Sequence, residues 1–344
     1  MRAARLHEYG KPLVVEDVPT PVPAAHQVLI RVGGAGACHS DLHVMDGDIR
    51  VLPRLPLTLG HENAGWVAAC GAEVSAVREG QPVVVYGAWG CEHCNFCLTG
   101  HEQLCETPQW AGLSTFDGGY ADYLLVPHER YLVPLSTLTP AAAAPLTDAA
   151  LTPYRAIRKS LPMLEPDHHV LVIGVGGLGQ YGIKLLRLFS GCPIIAVDTS
   201  DAKLALARTL GASHALNAAS TDLASAVRDL TRGHGVCATF DFVGSDSTLA
   251  LAVGATRSLG RVSQIGLAGG TARMKVLEST RFEVLFETTL WGTIKELREV
   301  VALTESGRLT PIATEFAPLE DINDVFARLR RGTIDGRVVI TPTT

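Results

Sequence analysis

No uninterrupted apolar run in the 344 residues approaches the ~20 needed to cross a bilayer as a helix. Runs of five like charges are also missing, and 29 basic against 35 acidic residues leave a net charge of −6. That balance argues against nucleic acid as an obligate partner and leaves no polybasic anchor for a membrane surface. The opening Met1-Arg2-Ala3-Ala4-Arg5-Leu6-His7-Glu8 lacks the apolar core of a signal peptide. Internal repeats are absent and aromatic residues are scarce, at 6%. The expectation is a cytoplasmic chain with reduced thiols. What the chain does have is 47% hydrophobic residues, 34 glycines and eight cysteines. At ~150 residues per domain, its length suggests two cores.

Residues 1–145 read as short β segments punctuated by Gly and Pro: Val28–Val32, Gly65–Ala69, Pro82–Tyr86 and Tyr123–Val126. Such a pattern predicts a barrel-like β domain. Near residue 150 the texture changes to alternating strands and helices. Strands are expected at Val170–Ile173, Ile194–Val197, His214–Leu216, Val236–Phe242 and Arg261–Ile265. Helices are expected at Leu178–Ser190, Asp201–Leu210, Leu223–Leu230 and Ser247–Arg257. This alternation predicts a doubly wound parallel sheet. Helices at Ile294–Thr304 and Leu319–Arg330 and a strand at Arg337–Ile340 follow, read as a return to the first domain. The fold class is therefore α/β, with a discontinuous first domain (1–149 and 288–344) and a second domain at 150–287.

Gly174-Val175-Gly176-Gly177-Leu178-Gly179 follows the first of these strands directly and opens a helix, the context in which G-x-G-x-x-G points to a dinucleotide. Gly174 permits the tight turn, Gly176 lets the backbone approach a pyrophosphate, and Gly179 lets helix and strand pack closely. Asp198 ends the next strand, where a carboxylate accepts the ribose hydroxyls and repels a 2′-phosphate, favouring NAD(H) over NADP(H). The alternative is a glycine-rich turn capped by a surface aspartate.

Cys91, Cys94, Cys97 and Cys105 form C-x2-C-x2-C-x7-C. Four thiolates close a tetrahedral zinc shell with no open position, so this site is expected to be structural. An iron–sulfur cluster or disulfides are the competing readings. Cys38, followed by His39, Ser40, Asp41 and His43, lies after a Gly-rich stretch, and Gly60-His61-Glu62 follows another. Taken singly, each Cys or His would pass as packing or surface.

Together, the Cys38 segment, Gly60-His61-Glu62, the cysteine lobe, the Gly174–Gly179 fingerprint with Asp198, and the C-terminal strand with Arg337 resemble the zinc-containing alcohol dehydrogenases of the medium-chain dehydrogenase/reductase superfamily. The resemblance covers essentially the whole chain and implies a GroES-like catalytic domain and a Rossmann domain. It implies two zinc ions per chain: one on the cysteine lobe and a catalytic one on Cys38, His61 and a third ligand just before the nucleotide domain. Many members have Cys at that third position; here it is Asp148, as in some bacterial secondary-alcohol enzymes. A carboxylate can bind zinc; the same residue can instead cap a helix before Ala149.

Glu62 is implied beside the metal, and Asp41 as the carboxylate orienting His61. Ser40, the nicotinamide ribose and then His43 would carry the alcohol proton to water while hydride passes to the nicotinamide. His39 and Arg337 are implied at the pyrophosphate, Thr152 near the nicotinamide, and Lys203 near the adenosine ribose. Trp89, Leu113, Leu290 and Trp291 are candidate walls of an apolar interdomain pocket. The implied reaction is NAD(H)-dependent interconversion of a secondary, or also primary, alcohol with its ketone or aldehyde. The alternatives are a polyol dehydrogenase and a non-catalytic dinucleotide-binding protein. A homo-oligomer is expected, a tetramer ahead of a dimer.

Overall fold

The computed structural model describes residues 1–48, 55–274 and 281–342. The chain forms two compact units: Met1–Leu151 together with Trp291–Thr344, and Thr152–Leu290.

The first unit is β-rich. Its main sheet runs in the order Leu132–Pro134, Pro82–Val85, Glu62–Cys70, Val28–Gly36, Arg337–Thr341, Ala313–Pro318, with Tyr123–Val126 also paired to Val28–Gly36. Pairing is antiparallel except between the last two strands of that order. Where the sequence suggests a strand stopping at Val32, the strand runs on to Gly36. It does so because Gly33 and Gly34 make room for neighbours: a Cβ at Gly33 would lie 2.7 Å from the Trp66 ring, and one at Gly34 would lie 2.8 Å from Ala141. The register sets Gly36 opposite Glu62 on one side and Val339 on the other. A smaller sheet of Val14–Asp17, Arg2–Leu6 and Leu57–Thr58 completes the unit, together with the ribbon Ala88–Trp89/Gln109–Trp110.

The second unit is a six-stranded, all-parallel sheet in the order His214–Asn217, Ile194–Asp198, Val170–Ile173, Val236–Asp241, Thr256–Gln264, Leu285–Thr288. Numbered from its own first strand the order is 3-2-1-4-5-6, that of a dinucleotide-binding sheet. Every residue of Val170–Ile173 is buried, as expected for a central strand covered on both faces. Leu171, Ile173, Ile195, Val197 and Val262 pack with Val227, Ala252 and Ala255 of the helices. The helix expected to reach Arg257 ends at Ala255, and Thr256–Gln264 is strand. The sheet wins there because Thr256 buries its hydroxyl on Thr239 of the neighbouring strand, at 2.8 Å.

Candidate metal centre and dinucleotide site

Two strands and a short helix converge on Cys38. The helix His39–Asp46 starts there, its first turn closed by the Asp41 carboxylate accepting the Cys38 amide at 3.0 Å. His61 precedes the strand Glu62–Cys70, and Asp148 follows the turn Ala144–Thr147. Cys38 Sγ lies 3.9 Å from Asp148 Oδ2, and His61 Nε2 lies 3.4 Å from the same oxygen. A tetrahedral zinc with bonds of about 2.0–2.3 Å separates its donors by roughly 3.3–3.8 Å. Cys38, His61, Glu62 and Asp148, all buried, offer donor atoms within 4.8 Å of one another. The donor set therefore fits zinc. The His61 ring presents Nε2 to this cluster because Nδ1 is held by Asp41 Oδ1 at 3.1 Å, the usual arrangement for a metal-binding imidazole. Burial works against positive charge on His61, but the Asp41 charge and the imidazole's own hydrogen bonds to Asp148, Asp41 and Cys38 outweigh it and raise the imidazole well above its usual range. This is a pocket that stabilises a cation.

Glu62 is turned away from solvent and held by two partners. Its carboxylate accepts Arg337 Nε at 2.9 Å and a second bond from Arg337 Nη2, and the Ala149 amide donates to Oε1 at 3.0 Å. A Cβ at Gly36 would fall 1.9 Å from Glu62 Oε2, so only glycine allows the carboxylate to cross that strand. Arg337 is 3% exposed and bonds Glu62 through Nε and Nη2. Tyr120, which sequence reasoning missed, is fully buried. Its hydroxyl lies 2.7 Å from Asp41 Oδ2 and 2.9 Å from the Gly36 carbonyl. Burial and the Asp41 charge push its phenol well above the ordinary range, so it remains a donor. The pair Gly118-Gly119 ahead of it was the available signal, because consecutive glycines mark close backbone approach.

Ser40 is half-buried, its Oγ 3.7 Å from Cys38 Sγ. His43, three residues on and on the same helix face, is half-buried and 3.3 Å from Asp48. His39 is exposed. Trp291 stands edge-on to His61, its indole N–H donating to the Thr147 carbonyl at 2.7 Å. Trp110, also missed, packs edge-on to Trp291 with its own N–H buried and without a partner among the described residues. Leu113 is buried, whereas Trp89 is enclosed by Phe116 and Tyr131, with its N–H on the Tyr86 carbonyl. Leu290, the last residue of the second unit, is 38% exposed.

The four lobe cysteines also gather into one group. Cys94 Sγ is 3.9 Å from Cys105 Sγ, and the amides of Cys91 and Thr107 point at Cys105 Sγ from 3.2 and 3.4 Å. The backbone amide of His93 leads the causes that lower the Cys91 thiol to about 6. A Cβ at Gly90 would lie 2.4 Å from Cys97 Sγ. Thiols kept this close, facing backbone donors, fit a zinc thiolate centre. A third group, Glu165, Asp167 and His168, is largely exposed, and His168 already carries the Arg257 guanidinium at 3.0 and 3.2 Å.

In the second unit, Gly174 has φ +86° and opens the turn between the strand and the helix Gly177–Phe189. A Cβ at Gly179 would sit 1.9 Å from the Gly174 carbonyl, whereas around Gly176 there is open space. This leaves a cradle in front of the helix N-terminus suited to a pyrophosphate. Asp198 closes the loop, accepting the Val175 amide at 2.8 Å and the Ser200 amide at 3.0 Å. Gly177 and Leu178 form the first turn of that helix, and Lys203 lies half-buried in the first turn of the next. Thr152 is buried.

Residues 24–137 match the family model of the alcohol dehydrogenase GroES-like domain, and 177–306 that of the zinc-binding dehydrogenase domain. The chain is 38% identical over 350 residues to an NAD-dependent alcohol dehydrogenase of Sulfurisphaera tokodaii, covering 99% of this chain and 100% of the relative. It is 36% identical over 345 residues to a D-arabinose 1-dehydrogenase (NADP(+)) of Saccharolobus solfataricus, covering 99% and 97%. Among solved structures, the alcohol dehydrogenase of Aeropyrum pernix superposes with a TM-score of 0.93 at 38% identity, covering 99% of this chain and 100% of that one. With both family domains in order and similarity running the full length, the chain belongs to the zinc-binding alcohol dehydrogenases of the medium-chain dehydrogenase/reductase superfamily.

Proposed function

We propose that the chain is an NAD-dependent alcohol dehydrogenase acting on secondary alcohols and their ketones, with the catalytic zinc on Cys38, His61 and Asp148. The observation that carries this reading is the buried Cys38–His61–Asp148 triangle, with its spacing and inward-facing Nε2. Zinc, when bound, supplies Lewis acidity toward the substrate oxygen, and NAD supplies the hydride acceptor. The chain's own residues do the rest. Asp41 fixes the His61 tautomer, and Glu62, anchored by Arg337, keeps a second carboxylate beside the donor set. Ser40 Oγ accepts the hydroxyl proton and His43 passes a proton on to water. Trp291 and Leu113 are the proposed apolar walls.

The division of labour follows the two units, with metal and substrate on the first and NAD on the second. Gly174, Gly176, Gly177, Leu178 and Gly179 cradle the pyrophosphate. Asp198 and Lys203 take the adenosine ribose, and Thr152 serves the nicotinamide end. The cysteine lobe holds the second, structural zinc. We also place the enzyme in the cytoplasm as a homo-oligomer, a tetramer ahead of a dimer. Exposed apolar side chains at Leu267, Met274, Phe282 and Leu285 support self-association.

The D-arabinose dehydrogenase relative favours a second reading, oxidation of a polyhydroxylated substrate. A panel of secondary alcohols, ketones, polyols and aldoses, followed by NADH absorbance, separates the two. Turnover confined to sugars or polyols would overturn the secondary-alcohol assignment.

A further inference from the structure

Asp41 is fully buried, so no solvent can complete its hydrogen bonding. Its Oδ1 faces His61 Nδ1 at 3.1 Å, and its Oδ2 meets the Cys38 amide at 3.0 Å and the Tyr120 hydroxyl at 2.7 Å. The Tyr120 hydroxyl has one proton and two acceptors in reach, and the carboxylate is both closer and charged. Two donors on Oδ2 fix the plane of the carboxylate and so aim Oδ1 at the imidazole. They also draw charge away from Oδ1, tempering how strongly it pulls on the His61 N–H. The Cys38 amide belongs to the ligand's own residue, whereas Tyr120 arrives from a separate loop 79 residues away in sequence.

We propose that Tyr120 is a positioning residue of the metal centre, acting through Asp41 to hold His61 in the orientation and tautomer that retain zinc. This rests on the reading of Cys38, His61 and Asp148 as zinc ligands. The ring packs edge-on to Phe326 at 5.8 Å, a contact that Tyr120→Phe keeps. The hydroxyl's part is therefore separable from the ring's.

The test is zinc release from the purified holoenzyme to a chromogenic chelator, with the slower-protected and faster-protected zinc assigned by Cys38→Ser. Tyr120→Phe is expected to speed loss of the Cys38-site zinc roughly tenfold, within the range typical for residues that orient a ligand. The cysteine-lobe zinc should leave at the wild-type rate. In cobalt-substituted enzyme the visible band of the Cys38 site should shift. In an Asp41→Asn background the same change should add less than about twofold, because both act on one bond. An unchanged release rate, equal acceleration at both zincs, or full multiplication of the two effects would overturn the role of Tyr120. If two zincs remain in Cys38→Ser, the ligand reading itself falls, and the proposal with it.

Discussion

Arg337 reaches Glu62 across a strand that has no side chain in the way. The two are 275 residues apart in sequence, yet Nε and Nη2 both bond the carboxylate above Gly36. Both partners are almost fully buried, at 3% and 0% exposure. Removing one leaves a buried charge unpaired, which costs about 3–5 kcal/mol. Arg337→Ala should therefore lower the unfolding free energy of the first unit, read from urea denaturation, by that amount. An effect below about 1 kcal/mol would mean that Glu62 protonates or finds another partner.

Gly36→Ala probes the same feature from the other side. A methyl group there lies 1.9 Å from Glu62 Oε2, so the carboxylate has to leave its Arg337 bonds. We expect destabilisation comparable to Arg337→Ala, and little further loss when the two changes are combined. Additive losses in the same denaturation assay would show that Gly36 serves some other purpose.

Metal analysis of the holoenzyme should give two zincs per chain. Cys38→Ser should leave one and abolish alcohol oxidation. Cys94→Ser should remove the other and lower thermal stability, since a closed thiolate shell contributes folding energy. One zinc in the wild type would mean that either Asp148 is not a competent ligand or the lobe is empty.

Asp198 is proposed for the adenosine ribose, and its carboxylate already organises the glycine turn through Val175. Asp198→Ala should reduce kcat/KM for NAD by roughly 10- to 100-fold, the loss of a charged hydrogen-bond acceptor, and weaken discrimination against NADP. An unchanged cofactor preference would remove the residue from the ribose.

Asp46 joins the helix that carries Ser40 and His43 to the helix Ile322–Arg330, with two bonds of 2.6 Å from Arg330. The hydrogen bonds to Arg330 hold the Asp46 carboxyl below its ordinary 3.8. A depressed folded-state pKa stabilises at pH values above the unfolded one and loses that stabilisation as pH falls through the folded value. The side chains are 45% and 35% exposed, so screening keeps the contribution below about 1 kcal/mol. Asp46→Asn should be slightly less stable at neutral pH, and its unfolding midpoint should converge on the wild type once the pH drops well below 3.8. A gap that persists in acid would trace the effect to packing.

The second unit was the more legible in sequence, because each of its elements is local. Val170–Ile173 and Leu223–Leu230 run over the residues expected from their patterns, and the glycine turn announces itself. In the first unit the periodicity signal breaks where glycines continue a strand, as at Gly33 and Gly34. Those residues carry no hydrophobic pattern and are chosen for space. The residues that gather around the candidate metal centre, Cys38, His61 and Asp148, stand out as types in sequence order. Their supporting contacts do not, because Tyr120, Trp110 and the Arg337–Glu62 bond depend on which strands become neighbours. Arg337 shows this: the resemblance implies a pyrophosphate contact, and only the strand order reveals that the same side chain also bonds Glu62.

The placement of Arg337–Thr341 beside Val28–Gly36 also bears on how the chain matures as it is synthesised. One of the last strands to be made has to seat against one of the first. The second unit, contiguous in sequence, can form its parallel sheet while the earlier β segments still present an open edge with unpaired amides. Until Arg337 arrives, Glu62 lacks its guanidinium partner, and the Ala35–Gly36 end of the strand is paired on one side only. A nascent chain halted before residue 337 should therefore bind dinucleotide before it can bind metal at Cys38. During that interval, the exposed edge of the first sheet is the segment most in need of a chaperone.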